Sequence, residues 1–112
     1  MEYRKHVSMP WFGYIKCGRK TVEGRLNKGD FAAFKSGDIV IWFNSDLKQE
    51  FKTQVIYKKN YKSFKEMISK EGLGNVLPEI KSVDAGVAIY HQYYTPTDEK
   101  IHGVAAIKLK VL

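Results

Sequence analysis

Apolar and polar residues follow two different periods along this chain, and the elements can be read from where one period gives way to the other. At the C-terminal end, Ala105, Ile107, Leu109 and Val111 fall on one side and Lys108 and Lys110 on the other. That is the two-residue period of a strand with one face buried. Residues 51–57 repeat the pattern, with Phe51, Thr53, Val55 and Tyr57 on one face and Lys52 and Gln54 on the other. Ile39–Phe43 is a continuous apolar run after the turn signal Gly37-Asp38, as in a strand buried on both faces. Residues 2–8 and 20–26 read as two further strands.

The helical period appears in four places. Pro10 suits a first helical turn, Trp11, Tyr14 and Ile15 recur at i, i+3 and i+4, and Gly18 supplies a stop, so a helix is predicted over 10–17. Ser63 and Glu66 have capping-box spacing, ahead of an apolar stripe of Phe64, Met67 and Ile68 that ends at Gly72 and Gly74. Val83, Val87, Tyr90 and Tyr94 line one side of a helix predicted over 83–94. Thr95, Pro96 and Asp98 open a short last helix. Strands outnumber helices and the longer helices come late. The expected class is α+β with a mostly antiparallel sheet and flanking helices; the pattern alone does not separate a barrel from an open sheet. No linker or repeat interrupts the 112 residues, so one domain over 1–112 is expected.

Composition adds two constraints. The 44% hydrophobic and 28% charged residues are ordinary for a soluble domain, and no apolar run approaches the roughly 18 residues of a membrane span. No secretory leader pattern opens the chain, and the single cysteine, Cys17, permits no internal disulfide. A cytoplasmic protein with no membrane partner is expected, with a monomer favoured. The formal charge of +7 favours a polyanionic partner, of which nucleic acid is the commonest, although a lysine-rich solvated surface would give the same number.

The densest chemistry lies in Gly18–Leu26, GRKTVEGRL. In a strand, Thr21, Glu23 and Arg25 share one face, which sets a carboxylate beside a guanidinium. Lys20 stands at the entrance, where its long stem brings an amine to the same place. Such a trio can hydrogen-bond a planar base, grip phosphate, or do acid/base chemistry if burial lowers the lysine pKa. It can equally be a surface ion pair of little consequence. Elsewhere, Asn44 in the Asn44-Ser45-Asp46 turn could offer an amide at a sheet rim. Tyr57, Lys58 and Lys59 interleave aromatic and basic groups as a base-stacking, phosphate-neutralising stretch does. Of three clustered tyrosines, the spacing of Tyr90 and Tyr94 points to the core, while Tyr93 is free to meet a ligand. His6, His91, His102 and Cys17 have no metal-ligand spacing, so neither a metal nor a cofactor is expected. Cys17 reads as a half-buried helix residue.

Taken together, these segments resemble a known family. Gly18, Lys20, Glu23 and Arg25 match the G-x-K-x-x-E-x-R signature of the ASCH domain, within the PUA-like superfamily. KSGDIVIW at 35–42, YKSFKEM at 61–67 and GVAAIKLKVL at 103–112 are similar to the segments that follow it there, in the same order. The small single-domain members of archaea and bacteria are the nearest in pattern. The resemblance implies a PUA-like β-barrel of five or six mostly antiparallel strands with flanking helices, and a cleft beside the signature strand that takes RNA or a nucleoside or nucleotide. One bacterial branch is an N4-acetylcytidine amidohydrolase. That branch implies Lys20 as base, but it carries a threonine where this chain has Glu23; Thr21 lies two residues earlier, and Glu71 is the nearest counterpart of a further glutamate. Two classes of function therefore stand at this point: a binding module for RNA or nucleotides using Lys20, Glu23 and Arg25, and a small hydrolase with Lys20 and Glu23 as its acid/base pair. In the first, Glu23 is expected to be ionised and to accept hydrogen bonds from the base; in the second it would orient water, with Arg25 stabilising developing negative charge. A protein-interaction adaptor is a third use of such barrels.

Overall fold

The computed structural model describes residues 1–112. In chain order the elements are β1 (Glu2–His6), α1 (Trp11–Lys16), β2 (Val22–Leu26), α2 (Gly29–Ala33), β3 (Ile39–Asn44), β4 (Gln49–Tyr61), α3 (Phe64–Glu71), α4 (Leu73–Val76), α5 (Val83–Tyr90), α6 (Pro96–His102) and β5 (Val104–Val111). The helix starts read from the sequence at Ser63 and Thr95 are made, and Ser82 adds a third: each accepts a hydrogen bond from the backbone N–H three residues on, and Pro96 occupies the first turn of α6. Gly18, at φ +85°, takes the left-handed conformation just beyond α1. The helix predicted over 83–94 ends earlier, at Tyr90, and Tyr93 and Tyr94 follow in a turn whose N–H groups return to the Tyr90 carbonyl.

The five strands form one sheet in the order β1-β3-β4-β5-β2. β1 runs parallel to β3, and every other pairing is antiparallel. β4 is the hinge of the sheet. Its first half pairs with β3 and its second half with β5, so one long strand passes from one neighbour to the next as the sheet curls. The ladder slips between Val55 and Tyr57, leaving Ile56 as an extra residue. Such a bulge bends the strand and reverses the side-chain parity beyond it. Tyr57 therefore does not share a face with Phe51, Thr53 and Val55, as simple alternation predicts.

The curl is strong. β1 and β2 are the two outer strands, four intervals apart, or about 19 Å in a flat sheet. Yet the Arg25 guanidinium on β2 lies 2.8 Å from the His6 carbonyl at the end of β1. The result is a half-barrel of five strands in which backbone pairing leaves a seam between β1 and β2.

Each face of the sheet has its own core. Inside the curl, Val40, Trp42, Val55, Ile107 and Leu109 pack with Phe12 and Ile15 of α1 and with Phe34. On the other face, Val22, Leu26, Val104 and Ala106 are covered by Phe64, Met67, Ile68, Val76, Leu77 and Tyr90 from α3, α4 and α5. β5 is buried on both faces for this reason, which its plain alternation did not announce. Gly86 makes the helical layer possible, because a Cβ there would sit 3.0 Å from Leu77 and 3.1 Å from Ile68. Glu99 ties α6 down: one carboxylate oxygen accepts from the Phe64 N–H at 2.6 Å, and the other meets His91 at 2.9 Å.

Candidate functional site

β2 is an edge strand, and its side chains occupy its own open edge. The Thr21 carbonyl accepts from Leu109 and the Asn27 N–H donates to Gly103, so the odd residues of β2 spend their backbone groups on β5. The Val22 carbonyl and Gly24 N–H then face the unpaired side. There Lys20 Nζ donates to the Val22 carbonyl at 2.8 Å, and the Gly24 N–H donates to Glu23 Oε1 at 2.9 Å. An edge filled in this way offers no template for another strand.

These groups form a buried charge cluster. Lys20 is 1% exposed and Glu23 5% exposed. Lys20 precedes the regular strand, and from there its Nζ reaches the Val22 and Val76 carbonyls and stands 3.3 Å from Glu23 Oε1. The three donors of the ammonium are thus all engaged. Arg25 donates to Glu23 Oε2 through Nε at 3.3 Å and Nη2 at 3.2 Å. Its guanidinium lies 5.0 Å from the Phe31 ring and 5.4 Å from Trp42. Burial pushes the Glu23 carboxyl up. The charges of Lys20 and Arg25, with the hydrogen bonds from Arg25 and Gly24, outweigh it and hold the group below the usual carboxylate range. Burial pulls the Lys20 pKa down, against the opposing pull of Glu23. Arg25 is raised: burial works against its charge, but Glu23 prevails.

Glu23 and Arg25 of the cluster form the polar floor of a cleft of about 250 Å³ at the seam, with Lys20 behind them. His6, Val7 and Ser8 come from the end of β1, Trp11 from α1, Glu23, Gly24 and Arg25 from β2, and Ile89, Tyr90, Tyr93 and Tyr94 from α5 and its turn. Tyr90 stacks on Phe64 with ring centroids 4.3 Å apart. Its hydroxyl is buried with no hydrogen-bond partner, and it sits so close to Gly24 that a Cβ there would meet it at 2.9 Å. Tyr93 is 58% exposed at the mouth. A second cleft of about 320 Å³ adjoins the first across Arg25 and Tyr94, which line both, and adds Lys5, Lys28, Asp30 and Phe31.

A family model for the ASCH domain matches residues 6–112. The chain belongs to the ASCH domain family. No curated protein matches it. Among solved structures, the crystal structure of hypothetical protein PH0355 is 38% identical with a TM-score of 0.92, and the match covers 100% of both chains. The solution structure of protein PF0455 from Pyrococcus furiosus is 35% identical with a TM-score of 0.82, over 100% of this chain and 98% of that one.

The structure of this ASCH domain brings Lys20, Glu23 and Arg25 into one cluster and sets Tyr93 on the same cleft. It scatters the other residues singled out from the sequence. Thr21 accepts a hydrogen bond from Lys108 and does not line the cleft. Glu71 is held by the hydroxyls of Tyr57 and Tyr61, away from Lys20 and Glu23. Asn44 is 2% exposed; its amide donates to the Val7 carbonyl and accepts from Leu47, closing the β3–β4 turn. Beyond the bulge, Lys58 turns to the inner face and donates to the Ala32 carbonyl, whereas Lys59 lies over the Tyr57 ring, so the basic stretch is divided between two faces. Cys17 is exposed rather than half-buried. No three His, Cys, Asp or Glu side chains come together as a metal site would need.

Two readings change with the geometry. Both Glu23 oxygens already face two internal donors, so the carboxylate has little capacity left for a ligand amino group. Trp11 and Tyr94 emerge as cleft walls, a role that helical spacing hid because it marks only that a side chain is covered, not by what.

Proposed function

We propose that this ASCH domain binds a nucleobase-bearing ligand, a nucleotide or single-stranded RNA, in the cleft along β2. The observation that carries the reading is the composition of that cleft. Trp11, Tyr90, Tyr93 and Tyr94 supply aromatic walls, and the Glu23–Arg25 pair supplies a fixed polar floor. Aromatic walls suit the faces of a base and fixed polar groups suit its edge. The volume of about 250 Å³ fits a single ring system rather than a run of stacked bases. Arg25 contributes donors here, since Nη1 carries two N–H groups beyond those spent on Glu23 and His6. Glu23 aims Arg25, and Lys20 holds Glu23. The overall charge of +7 draws in a polyanion.

The hydrolytic reading asks more of the site than it offers. A lysine acting as base needs a free lone pair facing the substrate. Lys20 gives its donors to three internal acceptors and does not line the cleft. The decisive experiment is a thermal-shift screen of nucleosides, nucleotides and short RNAs, with N4-acetylcytidine included and its turnover followed. A concentration-dependent rise in Tm without turnover supports binding. The absence of any shift across the screen would sink the reading, and release of acetate would restore the hydrolase.

A further inference from the structure

We infer that the second cleft, across Arg25 from the first, is a subsite for a phosphate monoester, so that the preferred ligand is a nucleoside monophosphate rather than a free nucleoside. The inference rests on the base-binding reading of the first cleft and adds which chemical class occupies the whole site. The two clefts differ in charge. The first is lined by one cation, Arg25, and one carboxylate, Glu23, which are paired with each other. The second is lined by three cations, Lys5, Arg25 and Lys28, against one carboxylate, Asp30. Asp30 is engaged by Lys5 Nζ at 2.7 Å and Arg25 is shared with Glu23, whereas no carboxylate pairs with Lys28, so the excess positive charge of the second cleft is that of Lys28. The ligand that complements an aromatic neutral compartment beside a cationic one is an uncharged base joined to a dianion.

Geometry supports the same assignment. Arg25 and Tyr94 are the shared wall, so a ligand reaching from one cleft to the other passes across the guanidinium. The orientation of that guanidinium is fixed by Glu23 and by the His6 carbonyl at 2.8 Å. A planar fork held in place, with donors beyond those spent on Glu23 and His6, suits phosphate oxygens.

The test is calorimetric titration of the full chain with a nucleoside, its 5′- and 3′-monophosphates, a dinucleotide and inorganic phosphate, at low and moderate salt. A monophosphate should bind about tenfold or more tightly than its nucleoside, with the gap narrowing as salt rises. Lys28→Ala should reduce that gap and leave nucleoside affinity alone. Asp30→Asn, which removes the one carboxylate, should widen it. A dinucleotide that outbinds both monophosphates would assign the subsite to the RNA backbone diester instead and overturn the monoester. Equal affinity for nucleoside and monophosphate, or equal loss of both in Lys28→Ala, overturns the subsite while the base-binding reading stands. Failure of nucleoside and nucleotides alike removes both.

Discussion

Arg25 on β2 and His6 on β1 join the two edges of the sheet: Nη2 of the arginine lies 2.8 Å from the histidine carbonyl oxygen. Backbone pairing stops at these strands, and a side chain completes the circuit. The same guanidinium is clamped by Glu23 and lies against Phe31 and Trp42. Closure of the half-barrel and shaping of the cleft are thus one interaction.

Arg25→Lys separates charge from geometry. A lysine keeps the cation but cannot donate to both Glu23 and His6 through a planar fork. We expect a loss of about 1–3 kcal/mol in urea unfolding, together with weaker ligand binding. Wild-type stability with intact binding would show that the bridge across the seam contributes nothing.

Glu23 predicts an acid limb in stability. Its folded pKa lies below its unfolded value because Lys20 and Arg25, with the Arg25 and Gly24 hydrogen bonds, outweigh burial. The ionised carboxylate therefore stabilises the fold above about pH 4.3, and that contribution is lost as the pH falls through the lower, folded value. Glu23→Gln should flatten the Tm profile in this acid window. At neutral pH it should cost about 3 kcal/mol, since it leaves the buried Lys20 ammonium without its counter-charge. An unchanged acid limb in the variant would place the responsible carboxylate elsewhere.

Gly24 and Tyr90 should respond in opposite directions. A methyl group at 24 would meet the Tyr90 hydroxyl at 2.9 Å and Met67 Cε at 2.6 Å, so Gly24→Ala should destabilise by about 1–3 kcal/mol and push Tyr90 from the cleft wall. Tyr90→Phe removes a buried hydroxyl that has no partner and should leave Tm unchanged or raise it. Combining the two should recover part of the alanine penalty, which a double-mutant cycle reads directly.

Tyr57 and Tyr61 share the Glu71 carboxylate, and both hydroxyls hold their protons more tightly for it. Burial, the hydrogen bond to Glu71 and its charge push Tyr57 up to about 12, and the same causes raise Tyr61. Burial also raises Tyr3, Tyr90 and Tyr94, so ultraviolet titration should show several late tyrosines, of which two, Tyr57 and Tyr61, move toward about 10 in Glu71→Gln. A raised folded pKa means that this contribution to stability is complete below about pH 10 and declines as the pH climbs through the folded value. A wild-type titration curve that Glu71→Gln leaves unchanged would dissolve the cluster.

The local rules were legible in the chain. Period two marked β4 and β5, a continuous apolar run marked β3, Ser63 and Thr95 could be placed as caps or helix-start residues, Gly18 marked a stop, and the spacing of the signature strand set Glu23 beside Arg25. These are properties of a few adjacent residues, and the backbone period settles them. The sequence also supplied the family pattern, and with it the barrel-like α+β class. What the sequence by itself could not carry was anything that depends on two distant segments meeting. The extra residue at Ile56 looks like any other member of an alternating run, yet it moves Tyr57 to the opposite face and divides Lys58 from Lys59. Asn44 and Glu71, polar residues that resemble site groups, are spent on the Val7 carbonyl and on two tyrosines from β4. Trp11, Tyr90 and Tyr94, read as helix faces, became walls because α1 and α5 arrive from opposite sides of the seam. Only the curl of the sheet decides this. It brings His6 to Arg25 across strands that would lie about 19 Å apart in a flat sheet, and the cleft exists because the backbone does not close where that side chain does.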